Sequence, residues 1–252
     1  MDYLSKLNGH DRDEFIKFKE EGHIYTIKGK SDYTSVTTWN HSHFPKFDSD
    51  TIISNIMNGK NWEKSKYYGK TAEEIKQEWN KNGENVSKLG TKLHYDIECY
   101  YNNNELPNDS IEYGYFVNFV KDHTDLIPFR TEWMIWDEQL KLAGSIDMVY
   151  LNKDGTISIY DWKRSKEIIK TSRYNQYALT ECINHLPDTN YWHYSLQLNT
   201  YKYILEKNYN LKVKDLYLIC LHPNNKNNNY QKIKVSDLSN EVYELLELRN
   251  NT

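Results

Sequence analysis

Residues 144–163 read GSIDMVYLNKDGTISIYDWK, and this stretch decides the expected fold. Apolar and β-branched residues on both sides of Asp154-Gly155 predict a β-hairpin, because Asp-Gly is a preferred dipeptide of tight hairpin turns. A loop of three or five residues centred on Asp154 would place Asp147 opposite Asp161, whereas a loop of two or four residues shifts the pairing by one. In either register the two carboxylates lie on neighbouring strands, about 5 Å apart at Cβ if they pair directly.

The lysine at the end of the second strand belongs to the same group. Lys163 lies two residues after Asp161 and therefore projects from the same face of its strand. Hard divalent ions prefer carboxylate oxygens, so one interpretation is a Mg²⁺ or Mn²⁺ site made by Asp147 and Asp161. Lys163 would then hold an attacking water or stabilise negative charge on a phosphoryl group. The alternative is an ordinary surface salt bridge, which an isolated pattern of this kind favours.

Composition limits the class of protein. The chain has 252 residues, 27% of them charged, and a net charge of −4, so any site for a polyanion must be a local basic patch. Its three cysteines, Cys99, Cys182 and Cys220, are far apart and form no CxxC pair, which argues against a cysteine-built metal site. The sequence shows neither an apolar leader at its start nor a run long enough to span a membrane. We therefore expect an intracellular protein, cytoplasmic or nuclear, that is not secreted and does not contact membranes.

Helical and strand patterns alternate along the rest of the chain. Helices are predicted within residues 1–22 and over 48–59, 71–81, 85–103, 111–122, 191–209 and 236–249, the last capped by Ser236. Strands are predicted over 23–29, 128–136, 213–222 and 230–235. This order predicts an α/β or α+β fold with a central mixed β-sheet flanked by helices. The expected organisation is a single domain, 1–252, with a mainly helical N-terminal subdomain, 1–84, packed on a core of residues 85–252.

Further polar residues fall at regular positions on the predicted helices and strands. His94 lies on the helix over 85–103, with Gly90 and Glu98 four residues away on the same face. Glu132 lies in the strand that precedes the hairpin, and its charge could equally be an ordinary one on the strand surface. Gln197 lies one helical turn before Tyr201 in the helix over 191–209.

Taken in order, these motifs resemble those of the PD-(D/E)XK nuclease superfamily. The matching pieces are GTKLH (90–94), Glu132, AGSID (143–147), YDWK (160–163) and QLNTY (197–201). They are most similar to the branch that contains the nuclease domain of RecBCD, lambda exonuclease and the mitochondrial genome-maintenance exonuclease. The segments SVTTW…FPKFD and YSLQLNTYKYILE look most like those of stand-alone nucleases encoded by viruses and phages.

The resemblance implies a restriction-endonuclease-like core and a role for each matching residue. It implies that His94, Asp147 and Asp161 ligate Mg²⁺ or Mn²⁺, with the carbonyl of Trp162 as a further ligand. Lys163 matches the catalytic lysine. Glu132 matches a supporting acid or an outer metal ligand. Relatives with an iron–sulfur cluster carry a set of cysteines that this chain lacks, so no such cluster is expected.

Two groups of residues are expected to contact nucleic acid. Gln197 and Tyr201 match the helix that supports the site and contacts the strand in the family, although a solvated Gln197 remains open. A basic run follows the hairpin, and it is either a groove for phosphates or an ordinary solvated loop. Its members are Arg164, Lys166, Lys170 and Arg173. Residues 60–70 interleave lysines with aromatic residues, as a platform for single strands would, or as a solvated helical face would.

The function implied is a metal-dependent DNA nuclease, with an exonuclease favoured, that leaves 5′-phosphates. Single-stranded DNA or duplex ends would be its substrates in DNA replication, recombination or repair. The chain has no GxxxxGK[ST] motif, so any unwinding would come from a helicase or a recombination partner. Two alternatives are a nuclease-fold module that binds nucleic acid with little or no turnover, and an RNA endonuclease on the same fold. Nothing in the sequence indicates an oligomeric state.

Overall fold

The computed structural model of the protein describes residues 2–251. They form two compact units, one of them Lys46–Lys92 and the other made of the segments before and after it. The predicted boundary between residues 84 and 85 falls inside a helix, Ala72–Tyr101. The segment before Lys46 belongs to the larger unit, because it contributes a strand to the main sheet.

Seven helices and eight strands make up the regular structure of the described residues. The helices are α1 (Tyr3–Leu7), α2 (Val36–His41), α3 (Ser49–Met57), α4 (Ala72–Tyr101), α5 (Ile111–Asp122), α6 (Asn190–Asn208) and α7 (Ser239–Asn250). The strands are β1 (Ile16–Lys19), β2 (Ile24–Ile27), β3 (Thr34–Ser35), β4 (Ile127–Asp137), β5 (Leu142–Leu151), β6 (Ile157–Lys163), β7 (Val213–Cys220) and β8 (Gln231–Lys234). Within residues 2–251, none of the helices combines the length and the apolar character needed to cross a membrane.

The larger unit is built on a six-stranded mixed sheet. One edge of β5 pairs antiparallel with β4, and its other edge is shared by β3, which is parallel, and β6, which is antiparallel. Beyond β6 the sheet continues with β7, parallel to β6, and β8, antiparallel to β7. The predicted mixed sheet is confirmed, and β5 and β6 lie near its centre.

The hairpin has the register expected for a five-residue loop centred on Asp154. Leu151 pairs with Ile157, so residues 152–156 form the loop, and the ladder continues to Met148 and Tyr160. Continuing the same register places Asp147 opposite Asp161. The Asp154 carboxylate accepts hydrogen bonds from the N–H and the hydroxyl of Thr156, which fixes the turn locally.

Side chains of β6 alternate between two hydrophobic cores. Ile157 and Ile159 enter the core that also contains residues of α6 and α7, whereas Tyr160 and Trp162 enter the core beside α5 and the end of α4. The alternation assigns Asp161 and Lys163 to the face covered by α6. The smaller unit has a core of its own around Ile53, Tyr67 and Ile75.

The helix predicted within residues 1–22 is wrong over DEFIKFKEE. Only a single 3₁₀ turn, Asp13–Phe15, is helical there, and the chain then forms β1, which pairs antiparallel with β2. The rings of Phe18 and Tyr25 meet across this pair at 4.7 Å. Glu and Lys favour a helix, but the cross-strand contacts with β2 override that weak preference.

Two helix ends also differ from the prediction. The helices expected over 71–81 and 85–103 are one continuous helix, α4, which runs through Gly83. Ser236 does not cap the last helix, which begins at Ser239. The Ser236 hydroxyl instead pairs with the Tyr191 hydroxyl at 2.8 Å, and its carbonyl accepts from Asn199 at 2.9 Å. These contacts tie the segment before α7 to α6.

Candidate metal centre

The candidate site lies where the pairing of β5 with β6 ends. The last paired residues are Met148 and Tyr160, and beyond them the side chain of Asp147 replaces a backbone partner. Its Oδ2 accepts a hydrogen bond of 2.9 Å from the N–H of Trp162. This bond fixes the Asp147 carboxylate at the opening between the two strands.

Three potential ligands from three different elements converge at this point. They are His94 on α4, Glu132 on β4 and Asp147 on β5. The His94 Nδ1 lies 3.6 Å from Glu132 Oε1 and 3.6 Å from Asp147 Oδ2. One ligand atom from each residue lies within 4.8 Å of the others. Among residues 2–251 this is the group of His, Cys, Asp and Glu side chains suited to holding a metal ion.

Glu132 is strained and faces a like charge. Thr131 pairs with Met148 and Trp133 with Ile146, so the ladder places Glu132 opposite Asp147. Acids directly opposite each other destabilise a sheet. Glu132 also has a φ of +42°, a left-handed conformation that is costly for a residue with a Cβ. Its Oε2 accepts a hydrogen bond of 3.1 Å from the hydroxyl of Ser145.

The two nitrogens of His94 have different partners. Nε2 lies 2.9 Å from the carbonyl oxygen of Trp162, so it carries a proton and donates to that oxygen. Nδ1 faces the two carboxylates. Burial lowers the pKa of His94, but the charges of Asp147 and Glu132 outweigh it and raise this pKa to about 9. The Trp162 carbonyl, predicted as a metal ligand, is therefore engaged by His94.

Asp161 is not one of these three residues and pairs with the lysine instead. Its Oδ2 lies 2.6 Å from Lys163 Nζ in a buried ion pair. Burial raises the pKa of Asp161 to about 6, although the charge of Lys163 opposes this. Burial lowers the pKa of Lys163, but the charges of Asp161 and Asp147 outweigh it and raise that pKa overall. Lys163 is only 17% exposed, with Nζ 4.6 Å from the centre of the Tyr194 ring.

The donor set fits a hard divalent cation. The two carboxylates are the ligands that Mg²⁺ and Mn²⁺ prefer, whereas the imidazole nitrogen is a donor more typical of transition metals. Without a cation, the protonated imidazole of His94 is what balances the charges of Glu132 and Asp147. Asp161, paired with Lys163 on the neighbouring strand β6, is a further buried acid of the right chemistry.

The helix residues predicted to contact nucleic acid are placed differently. Tyr201 is 3% exposed and lies in the core, so it cannot reach a strand. Its hydroxyl accepts a hydrogen bond of 3.0 Å from Gln197. Its ring covers Gly144, where an added Cβ would come within 2.6 Å of the ring carbon Cε1. Tyr201 on α6 therefore packs against β5 at Gly144, which lies three residues before Asp147.

The basic run after the hairpin is only partly exposed. Arg164 is 11% exposed and its Nε donates to Glu112 at 2.7 Å, so it is engaged within the protein, and its contact with nucleic acid stays a prediction. Lys166, Lys170 and Arg173 are exposed. Arg173 pairs with Glu167 at 3.2 Å, which neutralises part of the run. Arg164 directly follows β6, and Glu112 lies in the first turn of α5. Their ion pair joins the end of the strand to the start of the helix, and this contact buries Arg164.

Two residues at the site were not identified from the sequence. Tyr194 contacts the ammonium group of Lys163, and Ser145 donates to Glu132. Tyr194 lies three residues before Gln197 and so on an adjacent part of the same helix, a signal that could have identified it. Ser145 lies inside the AGSID segment, but its partner on β4 depends on strand pairing.

A central mixed sheet flanked by helices, with acids and a lysine on adjacent strands, defines a restriction-endonuclease-like α/β fold. The chain belongs to the PD-(D/E)XK nuclease superfamily, whose family profile matches residues 71–250. The resemblance seen in the motifs is thereby confirmed at the level of the superfamily. A nuclease fold implies binding of nucleic acid, and members of the superfamily use divalent metals.

Solved structures give more distant similarities. One is the crystal structure of SSO0001, with 13% identity, 88% of this chain and 75% of that chain covered, and a TM-score of 0.38. Another is a protein from Eubacterium rectale described as a candidate exonuclease, with 11% identity, 88% and 78% of the two chains covered, and a TM-score of 0.40. A search of curated proteins found no match. The family assignment stands on the sequence profile.

Proposed function

We propose that this chain is a Mg²⁺- or Mn²⁺-dependent deoxyribonuclease that acts in DNA replication, recombination or repair. The observation that carries the proposal is the convergence of His94, Glu132 and Asp147 beside the buried pair of Asp161 and Lys163. Three acids gathered within a sheet are costly unless a cation joins them. The family match supplies the reaction class, hydrolysis of phosphodiester bonds.

The ligands would come from four elements that the fold holds in place. Asp147 is fixed by the Trp162 N–H, His94 by the Trp162 carbonyl and Glu132 by the Ser145 hydroxyl. These hydrogen bonds would orient each ligand before an ion binds, as hydrogen bonds to metal ligands generally do. Asp161 would add its carboxylate from β6.

Negative charge on the reacting phosphate would be stabilised by the metal ion and by Lys163. A bound Mg²⁺ or Mn²⁺ would polarise a phosphoryl oxygen and lower the pKa of a water molecule. Lys163 keeps its proton, because the neighbouring acids raise its pKa, and so its ammonium group holds a fixed positive charge. That charge would orient the attacking water and stabilise the negative charge that develops on the phosphate. The Tyr194 ring limits the directions in which Lys163 can turn.

Substrate and product follow from the resemblance in the motifs. The combination of a helical histidine with QLNTY is typical of the branch rich in exonucleases, which supports removal of nucleotides from DNA ends and products with 5′-phosphates. A linear and a circular single strand of the same sequence separate the two modes of cleavage. An exonuclease degrades only the linear one.

The direct test is cleavage of labelled single-stranded DNA, duplex DNA and RNA by the purified chain with Mg²⁺, Mn²⁺ or EDTA. We expect cleavage of DNA with either metal and none in EDTA. Asp147→Asn and Lys163→Gln should each lower kcat by about 10²- to 10³-fold, as loss of one electrostatic contact does in other enzymes. Asp11→Asn and Lys153→Gln are matched controls on exposed residues and should keep full activity.

Three results would contradict the proposal. Cleavage that persists in EDTA, or in Asp161→Asn, would exclude the metal-dependent mechanism. Binding of DNA with no cleavage under either metal would favour the nucleic-acid-binding module. Faster cleavage of RNA than of DNA would favour the RNA endonuclease.

A further inference from the structure

A turn between α3 and α4 presents lysines beside an exposed tyrosine. We call residues 60–70, KNWEKSKYYGK, the lysine–tyrosine turn. Tyr68 is 57% exposed, and Lys60, Lys64 and Lys66 near it in the sequence are exposed as well. The sequence alone left two interpretations of this segment open.

The turn is held in one conformation by its own unit. Tyr67 is buried in the small core, where its hydroxyl accepts a hydrogen bond of 2.7 Å from the Trp79 indole. Backbone bonds join Tyr68 to Ser65 and Ser65 to Trp62. The Trp62 ring meets Tyr68 edge to face, with centroids 5.8 Å apart. Tyr68 is therefore supported from one side, so a ligand that stacks on it meets an aromatic surface that is already ordered.

Within residues 46–92, the acids of the unit form no ion pair with these lysines, including Glu63, which lies in the turn itself and lowers its net positive charge. Glu78 pairs with Lys70, and Asp50 pairs with Lys76 at 2.7 Å. Glu74 accepts hydrogen bonds from Thr71. By contrast, Lys60, Lys64 and Lys66 make no ion pair with any of residues 2–251. Residues 46–92 contain nine lysines and seven acids, a net charge of +2, whereas the whole chain carries −4.

We infer that the lysine–tyrosine turn binds single-stranded nucleic acid, with a base stacked on Tyr68 and backbone phosphates held by Lys60, Lys64 and Lys66. This rests on the proposed function and adds to it a preference for unpaired strands. Stacking needs a base face that is free, and in a duplex both faces are covered by neighbouring bases. Lysines that make no ion pair are the charge complement of a phosphate backbone, although Lys66 Nζ also lies 4.6 Å from the centre of the Tyr67 ring.

Fluorescence anisotropy of the full chain in EDTA, with a labelled oligothymidylate and a duplex of equal length, tests this inference. The variant Lys60→Gln/Lys64→Gln/Lys66→Gln should bind the single strand more weakly, and its slope of log Kd against log salt should fall by about 2. The matched variant Lys17→Gln/Lys153→Gln/Lys226→Gln removes three exposed lysines elsewhere and should bind as the wild type does.

Stacking is tested separately from charge. Tyr68→Ala should weaken binding of the single strand about 5- to 150-fold without changing the salt slope, whereas Tyr68→Phe keeps the ring and the affinity. Duplex binding should not respond to Tyr68→Ala. An equal loss on duplex and single strand would overturn the stacking contact.

The failure of this inference can be told from failure of the proposed function. If the wild type cleaves DNA with Mg²⁺ but neither the lysine variant nor Tyr68→Ala changes binding, the turn is not a binding surface and the nuclease function stands. If the wild type neither binds nor cleaves any nucleic acid, both are overturned.

Discussion

Gly144 is the position where a single added methyl group should disturb the protein most clearly. It lies in β5, is buried, and is covered by the ring of Tyr201. A Cβ at this position would meet Cε1 at 2.6 Å, the hydroxyl oxygen at 3.0 Å and Cζ at 3.1 Å. Two of these are ring carbons, which cannot bend aside as the end of a flexible chain would. Gly144→Ala must therefore displace the ring or the strand.

The expected destabilisation by Gly144→Ala depends on how tightly the Tyr201 ring is packed. Tyr201 is 3% exposed and its hydroxyl is held by Gln197. Forcing an extra methyl group into a packed core costs about 1 to 3 kcal/mol. In a chain of this size each kcal/mol lowers the melting temperature by about 2 to 4 °C. We expect Gly144→Ala to lower the free energy of unfolding by about 1 to 3 kcal/mol.

Urea unfolding followed by circular dichroism measures the change. Gly114→Ala is the matched control, because Gly114 is exposed on α5 and a Cβ there meets nothing within 4 Å. Replacing a helical glycine by alanine there should stabilise the protein by about 1 kcal/mol. The two glycine-to-alanine changes are thus expected to have opposite signs.

Repeating Gly144→Ala in a Tyr201→Leu variant tests whether the Tyr201 ring is what the added methyl group meets. In Tyr201→Leu the atoms closest to the new methyl group are gone, so adding Gly144→Ala should cost little. The two substitutions should therefore be strongly non-additive. An equal cost of Gly144→Ala in both backgrounds, or no cost in the wild type, would refute the assignment of this contact.

Three further predictions concern the site and one helix end. Tyr194→Leu should lower kcat about 2- to 30-fold with little change in KM by freeing Lys163, whereas Tyr194→Phe should keep activity; equal losses in both would exclude the ring contact. Mn²⁺ should raise the melting temperature of the wild type, less so for Glu132→Gln and not at all for Asp147→Asn; an unchanged rise in both variants would place the ion elsewhere. Ser35→Ala should destabilise the protein by about 1 kcal/mol, measured by urea unfolding, because its hydroxyl caps α2; full stability would show that the cap contributes nothing.

The hairpin could be predicted because its information is local. Asp154-Gly155 specifies the turn, and the alternating strands on either side specify the register. The helix over Ile111–Asp122 likewise begins at a capping serine and follows an apolar pattern. By contrast, β1 depends on pairing with β2, and its own sequence favours a helix. Two helices were predicted over 71–81 and 85–103, but a glycine such as Gly83 costs a helix only about 1 kcal/mol, and α4 continues through it.

The types of residue at the site could be predicted, but their partners could not. Arg164 follows the catalytic motif and was expected on a groove, yet it pairs with Glu112, 52 positions earlier in the chain. Tyr201 was expected at a strand of nucleic acid, yet it packs on Gly144. Both contacts depend on how helices dock on the sheet. A single sequence carries little information about such long-range contacts.

Glu132 shows how structure resolves what a motif leaves open. In the sequence it was equally an ordinary strand charge or a supporting acid. In the fold it has a left-handed φ of +42° and lies opposite Asp147, two features that each cost stability. An ordinary surface charge would relax towards solvent, but Glu132 is held inward by Ser145 and faces His94. Strain and repulsion of this kind persist where the surroundings impose them, and a cation shared with Asp147 would remove the repulsion. For this reason we propose Glu132 as a ligand, whereas Asp161, paired with Lys163, would join once the ion is bound.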